Sequence, residues 1–170
     1  YRRGLGVKKD YTEAAKWYKL SATQNISESM YSSDMRWRSH IARSRYLLGY
    51  MYEAGYGVEK NIEKAFFWYQ SSADESNLDA MRRIAQERYK KAEYKEAYQL
   101  YEKAGCDASL VNMAEMRISG LGCEKSMDKA ISLLLNAAED YFEEDDGNQL
   151  AMNKLSQIYI GEYGTEVNLN

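Results

Sequence analysis

The 170-residue chain contains no proline. Proline makes up about 5% of average proteins, so roughly eight would be expected in a chain of this length. Its absence argues against a turn-rich β-sandwich or a proline-rich linker. It favours helices with short connections, because helix interiors tolerate proline least. The balance of 45% hydrophobic and 29% charged residues is typical of a folded soluble protein, with one domain or one short array of repeats.

The chain also lacks an excess of basic charge and any long apolar run. Its 23 Lys and Arg residues face 26 Asp and Glu residues, for a net charge of −3. This balance argues against a general nucleic-acid binder, which normally carries a basic excess on one face. No apolar run approaches the ~18 residues that a membrane span needs. We therefore predict no nucleic-acid partner and no membrane span.

Cysteine is scarce, with two residues in the chain. Cys106 and Cys123 flank a predicted helix of about a dozen residues, whose ends lie well over ~10 Å apart. A disulfide needs Cα atoms within about 7 Å, so we predict two free thiols, which favour a reducing compartment. No signal peptide is visible, and the chain opens at Tyr1 inside a repeat. We interpret it as a fragment, for which a bacterial periplasmic or secreted location stays open.

A segment with two glycines, a helix alanine and an aromatic pair recurs along the chain. In residues 55–73 it reads GYGVEKNIEKAFFWYQSSA; the other copies are residues 4–22, residues 120–138 and, without the glycine loop, residues 94–104. The aligned helix alanines lie at positions 14, 65, 97 and 130, at intervals of 51, 32 and 33 residues. The last two intervals match a helix-hairpin period, and the longer first interval predicts an insertion between Ala22 and Ile41.

A further helix precedes each glycine loop. In the second unit we predict it over Ala42 to Ala54, with Leu48-Gly49 and Tyr52 at helical spacing. The Leu-Gly position of the next two units is occupied by Ile84-Ala85 and Met113-Ala114, and a fifth such helix is marked by Leu155 and Tyr159.

This pattern resembles the Sel1-like repeat family, a relative of the tetratricopeptide repeats. Residues 42–73 match the family's unit in the Leu-Gly pair, the glycine loop and the Trp-Tyr pair, and residues 4–22 match its second half. Residues 79–104 and 108–138 match more loosely, and residues 150–161 cover a first helix. The resemblance implies an all-α fold, a right-handed α-solenoid of antiparallel helix hairpins like that of the tetratricopeptide repeats.

The repeats and the breaks between them predict the organisation of the chain. In order, we expect the second half of a repeat (1–22), an insertion (23–39), a full repeat (40–74), a degenerate repeat without the glycine loop (77–105), a repeat (107–139), an acidic insertion (140–149) and a partial repeat (150–170).

Most of the recurring residues are predicted to serve packing. Small residues at 49, 65 and 73 should allow close approach of helix backbones, where a larger side chain would overpack. Leu48, Tyr52, Trp68 and Tyr69 should fill the spaces between successive helices. The tyrosines in recurring positions are assigned to packing, namely Tyr18, Tyr52, Tyr69, Tyr101 and Tyr159. One of the two loop glycines at 55 and 57 should adopt positive φ, so Gly57→Val should destabilise this unit.

The motifs that could indicate a phosphate-binding or calcium-binding site do not match the sequence patterns of such sites. The glycine loops lack the preceding strand and the following Lys-Ser/Thr of a phosphate-binding loop. Residues 139–147 are acidic, but placing Gly147 at the sixth position of an EF-hand loop puts Phe142 first and Asn153 twelfth. His40, the only histidine, lies in a basic cluster interpreted as a solvated face, with an RNA or phosphate contact as the alternative. That cluster comprises Arg36, Arg38, Arg43 and Arg45. We predict no catalytic, metal or cofactor-binding site and no cofactor.

Helical geometry predicts a binding groove on the helix face whose side chains are not assigned to packing. In the resembled fold, the first helices of successive hairpins line the concave face. The residues on that stripe are Arg43, Tyr46, Tyr50 and Glu53, then Arg82, Gln86 and Tyr89, then Val111, Glu115 and Ile118, and finally Asn153 and Gln157. Tyr and Arg are frequent at binding hot spots. The alternative is that Tyr46 and Tyr50 pack under the insertion at 23–39.

The resemblance implies a non-enzymatic scaffold or adaptor for protein–protein interaction. Such a solenoid would bind a peptide or protein segment on its concave face. The alternative is a regulatory or scaffolding domain of a larger protein, with a catalytic domain outside this fragment. An enzyme within these residues is not predicted, because no nucleophile–base pair, metal set or matched carboxylates stand out. The oligomeric state stays open.

Overall fold

The computed structural model describes residues 8–24, 35–139 and 146–161, and these residues form eight α-helices and no strand. The helices are α1 (Tyr11–Ala22), α2 (Met35–Ala54), α3 (Ile62–Ala73), α4 (Leu78–Lys90), α5 (Tyr94–Ala104), α6 (Asp107–Ser119), α7 (Met127–Glu139) and α8 (Asp146–Tyr159). The all-α class and the order of paired helices predicted from the repeats are confirmed.

The helices that follow the glycine loops begin at a polar side chain in a recurring position. Asp10 accepts hydrogen bonds from the backbone N–H groups of Thr12 and Glu13 at 2.9 and 3.0 Å. In the same repeat position, Asn61 accepts from the N–H of Lys64 at 2.8 Å, and Ser126 accepts from the N–H of Lys129 at 3.3 Å. Such caps satisfy backbone N–H donors that a helix start leaves unpaired, and each stabilises the protein by about 0.5–2 kcal/mol.

In the two glycine loops that the structure describes, residues 55–57 and 120–122, the first glycine ends a helix. Gly55 and Gly120 have φ of +75° and +71°, and their neighbours Tyr56 and Leu121 donate N–H bonds to carbonyls five residues back, each at 3.0 Å. This is the Schellman arrangement, which needs a left-handed residue. In the degenerate repeat Ala92 takes this role at φ +60°. A non-glycine residue there is strained, because its Cβ crowds the backbone.

The second glycine of each loop makes a close backbone contact. A Cβ at Gly57, φ +67°, would collide with the carbonyl group of Tyr11, the first residue of α1. A Cβ at Gly122, φ +70°, would collide in the same way with the carbonyl group of Tyr94, the first residue of α5. The predicted positive φ is therefore confirmed at both loop glycines of the second unit, and the second glycine is constrained by space as well.

The chain divides into two compact units, Tyr1–Ile84 and Ala85–Asn170, with the boundary inside α4. In the first unit α2 packs against both α1 and α3, and Leu48, Ala65 and Tyr69 are fully buried. A Cβ at Gly49 would lie 2.7 Å from the ring of Tyr69 and 3.0 Å from the carbonyl oxygen of Ala65. The predicted close approach of the two helices at these positions is confirmed.

The second unit has two clusters of buried side chains. One lies on α4, α5 and α6 and comprises Ala85, Ala97, Tyr98, Tyr101, Met113 and Met116. The other lies on α6, α7 and α8 and comprises Val111, Ala114, Ala130, Leu134, Ala137, Ala151, Leu155 and Ile158. Both cysteines are free thiols, as predicted, and Cys123 packs against the first cluster.

The structure departs from the sequence-based expectations at three places. α2 begins at Met35, seven residues before the predicted Ala42, so it extends back into the predicted insertion at 23–39. α8 likewise begins inside the predicted insertion at 140–149. Tyr159 was assigned to packing but is 45% exposed, because its neighbour Ile158 points into the core instead. Residues 25–34 and 140–145 of the two predicted insertions lie outside the described residues.

Candidate functional site

The predicted stripe on α2 is present as a mixed aromatic and charged face. Arg43 is exposed, whereas Tyr46, Tyr50 and Glu53 are each half-buried. This partial burial means that each of the three side chains is held by neighbours and still reaches the surface. The contacts of these residues, all within the first unit, define what the face can bind.

Glu53 is fixed by a hydrogen bond from the core. The phenol of the fully buried Tyr69 donates to Oε2 of Glu53 at 2.5 Å. Burial first, and then the hydrogen bond and negative charge of Glu53, raise the pKa of Tyr69. The phenol therefore stays protonated at neutral pH and remains a donor. Because a hydrogen bond to a charged group is short and strong, it holds the carboxylate of Glu53 in place.

Arg83, on α4, completes the cluster from the opposite side of Glu53. Its Nη1 lies 3.8 Å from Oε1 of Glu53, and its guanidinium carbon lies 6.0 Å from the ring centre of Tyr50. The buried Nε of Arg83 has no hydrogen-bond partner. Burial alone would lower the pKa of Arg83, but the charge of Glu53 and the phenols of Tyr69 and Tyr46 outweigh it and raise the pKa. The guanidinium is therefore a permanent cation on this face.

Aromatic contacts support the rest of the face. The rings of Tyr46 and Tyr69 lie 5.7 Å apart, and the ring of Tyr50 meets that of Tyr56 edge-on at 5.9 Å. Tyr56, from the glycine loop, stacks on Tyr11 with ring centres 4.8 Å apart. Such pairs contribute about 0.5–1.5 kcal/mol each beyond their buried area. Tyr46 and Tyr50 are thus oriented by Tyr69 and Tyr56, and residues 25–34, under which the alternative would place them, lie outside the described residues.

The other arginines of this region differ in role. Arg82, the candidate on α4, is half-buried and lies 3.7 Å from the carboxylate of Asp79. Arg45 serves the fold, because its Nε and Nη1 donate to the carbonyls of Ala22 and Ser71, each at 3.3 Å. It also lies 3.8 Å from a carboxylate oxygen of Glu75. The rest of the predicted basic cluster is exposed on α2, namely Arg36, Arg38 and Arg43, with His40 among them.

Seven of the twelve residues on the predicted stripe belong to the second unit, and five of them are polar or aromatic. Gln86 and Gln157 are half-buried, and Tyr89 is 38% exposed with its ring 5.2 Å from that of Tyr94. Glu115 forms an ion pair with Lys154 at 2.8 Å. The side-chain oxygen of Asn153 accepts a hydrogen bond from Gln149 at 3.4 Å. These residues show no interlocked cluster like that of the first unit.

The assignment of Val111 and Ile118 to this stripe was wrong. Val111 is 1% exposed and belongs to the buried cluster of α6, α7 and α8, and Ile118 packs against the same cluster. Both β-branched side chains are used by the core because α6 contacts α5, α7 and α8. A helix surrounded in this way has little apolar surface left for a ligand.

Two residues of the face were missed by the sequence reasoning, Arg83 and Tyr56. The register anchored on the Leu-Gly position selects Arg82 on α4, whereas the guanidinium that reaches Glu53 and Tyr50 belongs to the next residue. A signal was available for Tyr56, because it is an aromatic residue between two glycines of a loop. For Arg83 no such local signal exists.

A second surface feature of the first unit is an apolar cavity of about 520 Å³ between α1, α2 and the glycine loop. Leu48, Tyr52 and Val58 line it from one side, and Lys16 and Lys19 stand on α1 beside it. The described part of the chain contains no group of three or more metal-ligating side chains. Within the same residues, no helix is both long and apolar enough to cross a membrane.

Paired helices, glycine loops that end α2 and α6, and the close approach of α2 and α3 at Gly49 define a helical-repeat protein. The Sel1 repeat model matches residues 1–26, 42–77, 79–109, 107–141 and 149–170, and the chain belongs to the Sel1 repeat family. Sel1 repeat proteins are commonly scaffolds for protein–protein interaction, and the fold is typically non-catalytic. A comparison with curated proteins returns no match.

Solved structures with this fold come from several bacteria. The chain is 26% identical to a Sel1 repeat protein from Oxalobacter formigenes, with a TM-score of 0.73 over 95% of this chain and 61% of the other. A Sel1 repeat protein from Klebsiella pneumoniae subsp. pneumoniae is 25% identical, with a TM-score of 0.57 over 80% of this chain and 64% of the other.

A protective antigen of uropathogenic Escherichia coli with an SLR fold is 22% identical, with a TM-score of 0.62 over 98% of this chain and 48% of the other. At that identity the likeness shows the fold alone. This chain thus spans between about half and two thirds of the length of these three relatives.

Proposed function

We propose that this chain is a non-enzymatic interaction scaffold that binds a protein segment on the α2 face of its first unit. By the α2 face we mean Arg43, Tyr46, Tyr50 and Glu53 with Arg82 and Arg83. The observation that carries the proposal is the interlocked group of Tyr69, Glu53, Arg83 and Tyr50. It joins a buried core tyrosine to surface side chains of the types that dominate binding hot spots.

The geometry favours binding because the side chains are already ordered. A surface arginine or tyrosine that must be immobilised on association costs about 0.5–1.5 kcal/mol of side-chain entropy. Here Tyr46 lies against Tyr69, Tyr50 lies against Tyr56, and Arg83 lies between Glu53 and Tyr50. Much of that entropy is therefore lost on folding, and a partner gains more from each contact.

The perturbed titratable groups support a binding role over a catalytic one. A nucleophile or base is normally activated by a lowered pKa or by an adjacent base. Burial raises the pKa of Tyr69. Burial also raises the pKa of Cys123, and the positive charge of Arg117 offsets only part of that rise. Both groups therefore stay protonated at neutral pH, which is the opposite of activation.

The test is affinity capture from cells that naturally express the protein, with wild type and Tyr46→Ala/Tyr50→Ala as baits. We expect the double variant to lose a protein partner that the wild type retains, because it removes the aromatic area of the face. Circular dichroism melting should show that the variant is folded. The matched control is Phe67→Ala, which removes an aromatic side chain that is 64% exposed on α3 of the same unit.

A photo-crosslinking amino acid at the exposed Arg43 provides a second readout, with the same amino acid at Phe67 as control. We expect position 43 to crosslink to the captured partner and position 67 not to do so. Recovery of the same partners by wild type and the folded double variant would show that the α2 face is not the binding site.

A further inference from the structure

The two units carry opposite net charge. Residues 1–84 contain 14 Lys and Arg against 10 Asp and Glu, a net charge of +4. Residues 85–170 contain 9 Lys and Arg against 16 Asp and Glu, a net charge of −7. A chain that is acidic as a whole therefore has one basic half. Charge asymmetry of this kind influences which partners approach and which are repelled.

α2 is the most basic helix of the first unit. This helix carries four arginines and a single acidic residue, Glu53. Glu53 accepts a hydrogen bond from the phenol of Tyr69 and lies 3.8 Å from Nη1 of Arg83, so Glu53 and Arg83 offset each other's charge in part. Arg45 is engaged by carbonyls of the fold and by Glu75. The arginines exposed on the helix surface are Arg36, Arg38 and Arg43.

Arg83 adds a cation that its own surroundings do not fully satisfy. Its closest carboxylate, that of Glu53, lies at 3.8 Å, beyond hydrogen-bond distance. Its Nε is buried without a hydrogen-bond partner, an arrangement that folded proteins rarely keep. The side chain also interacts with Tyr46, and it is 31% exposed, so part of it is open to a partner. Guanidinium groups bind carboxylates by paired hydrogen bonds.

From this charge distribution we infer that the segment bound on the α2 face is acidic. It would place a carboxylate against Arg83, further carboxylates along Arg82 and Arg43, and apolar side chains on Tyr46 and Tyr50. This inference rests on the proposed function and names the chemistry of the partner at the same site. The carboxylates of Glu53 and Asp79 interrupt the basic surface, so it fits separate acidic side chains better than a continuous phosphate backbone.

A random library of displayed 12-residue peptides tests the inference whichever protein is the natural partner. Selection on the wild-type protein should enrich peptides in which Asp or Glu stands beside apolar residues. Anisotropy titration of an enriched peptide should give an affinity at least about tenfold tighter than that of the same peptide with Gln and Asn in place of Glu and Asp. The affinity of the acidic peptide should also fall with added salt.

Variants locate the effect on the protein. Arg83→Gln should weaken the acidic peptide by about tenfold, and Arg83→Lys should restore only part of the affinity, because lysine keeps the charge but loses the planar fork. The double variant Arg43→Gln/Arg82→Gln serves if Arg83→Gln does not fold. The charge-matched control is Lys16→Gln/Lys19→Gln on α1, which should change the affinity less than about twofold.

Several outcomes would overturn the inference. One is a set of enriched peptides without an excess of Asp and Glu, and another is equal affinity for the acidic peptide and its Gln/Asn counterpart. The others are a loss of affinity in Lys16→Gln/Lys19→Gln equal to that in Arg83→Gln, and binding of a single-stranded RNA 12-mer that is tighter than binding of the acidic peptide. Concentration-dependent self-association in sedimentation, abolished by Arg43→Gln/Arg82→Gln, would assign the face to a second copy instead. If crosslinking at Arg43 still captures a partner while acidic peptides fail, the partner chemistry is wrong and the proposed site stands.

Discussion

Tyr69 links the core of the first unit to the α2 face. Its ring fills the space above Gly49, and its phenol holds Glu53 at 2.5 Å. The repeat pattern identified the ring as a packing residue, and the structure confirms this. The hydrogen bond could not be predicted, because Glu53 and Tyr69 lie on different helices and their approach depends on how those helices cross.

Tyr69→Phe should lower stability by about 1.5–3 kcal/mol at pH 7, the usual contribution of a hydrogen bond to a charged group. A further effect should appear in alkali. The pKa of Tyr69 is raised in the folded state, so above pH ~10 the unfolded chain releases a proton that the folded chain retains. Stability is therefore lost as pH rises above ~10, and the variant should lack this part of the loss.

Urea unfolding at pH 7, 10 and 11 measures both effects. Tyr56→Phe is the control, since it removes a phenol that is 39% exposed from the same unit. Parallel stability profiles of wild type and Tyr69→Phe between pH 9 and 11 would contradict the alkaline prediction.

Ala92 is a strained position that the sequence did not reveal. It caps α4 at φ +60° in the place that glycine occupies in the neighbouring loops. Ala92→Gly should raise the free energy of unfolding by roughly 0.5–1 kcal/mol, since a left-handed alanine costs more than the added freedom of glycine in the unfolded chain. Chemical denaturation measures the difference. Ala54→Gly, at the last residue of α2, should lower stability instead.

At the scale of elements, the two glycines of a loop have different tasks. The first ends a helix, and the second lets the loop touch the helix start of an earlier hairpin. Gly57→Val should therefore cost more than the about 1–2 kcal/mol expected from positive φ alone. Gly105→Val is the matched control, because Gly105 has φ +59° and its Cβ would meet only one atom, at 3.8 Å. Equal losses for the two variants in urea unfolding would show that the contact with Tyr11 contributes nothing.

The repeat pattern predicted the helices well and their ends less well. Loop glycines marked helix ends, but nothing at Ala42 marked a start, and α2 runs back to Met35. On the α2 face, helical spacing selected Tyr46, Tyr50 and Glu53, and all three are half-buried. On α4 the spacing selected Arg82, whereas Arg83 makes the contact with Glu53. The spacing of residues within one helix contains no information about how the neighbouring helix is rotated about its axis.

At the scale of the whole molecule, the two units should respond separately to local damage. Repeat arrays are stabilised by neighbouring contacts, so a defect opens its own surroundings first. In hydrogen exchange with mass spectrometry, Gly57→Val should speed exchange in α1 to α3 and leave α6 to α8 protected. Gly122→Val should show the reverse pattern. Uniform acceleration over all helices would mean that the chain unfolds as one cooperative block.

The glycine contact with an earlier helix has a consequence for how such chains change over evolutionary time. The contact joins positions 11 and 57 in one place and positions 94 and 122 in the other, with very different lengths of chain between them. Duplication or loss of whole repeats preserves the contact, whereas a deletion that removes either the glycine loop or the earlier helix start destroys it. The predicted insertion at 23–39 lies between positions 11 and 57, so we expect a binding loop or a tag grafted between α1 and α2 to leave the contact intact.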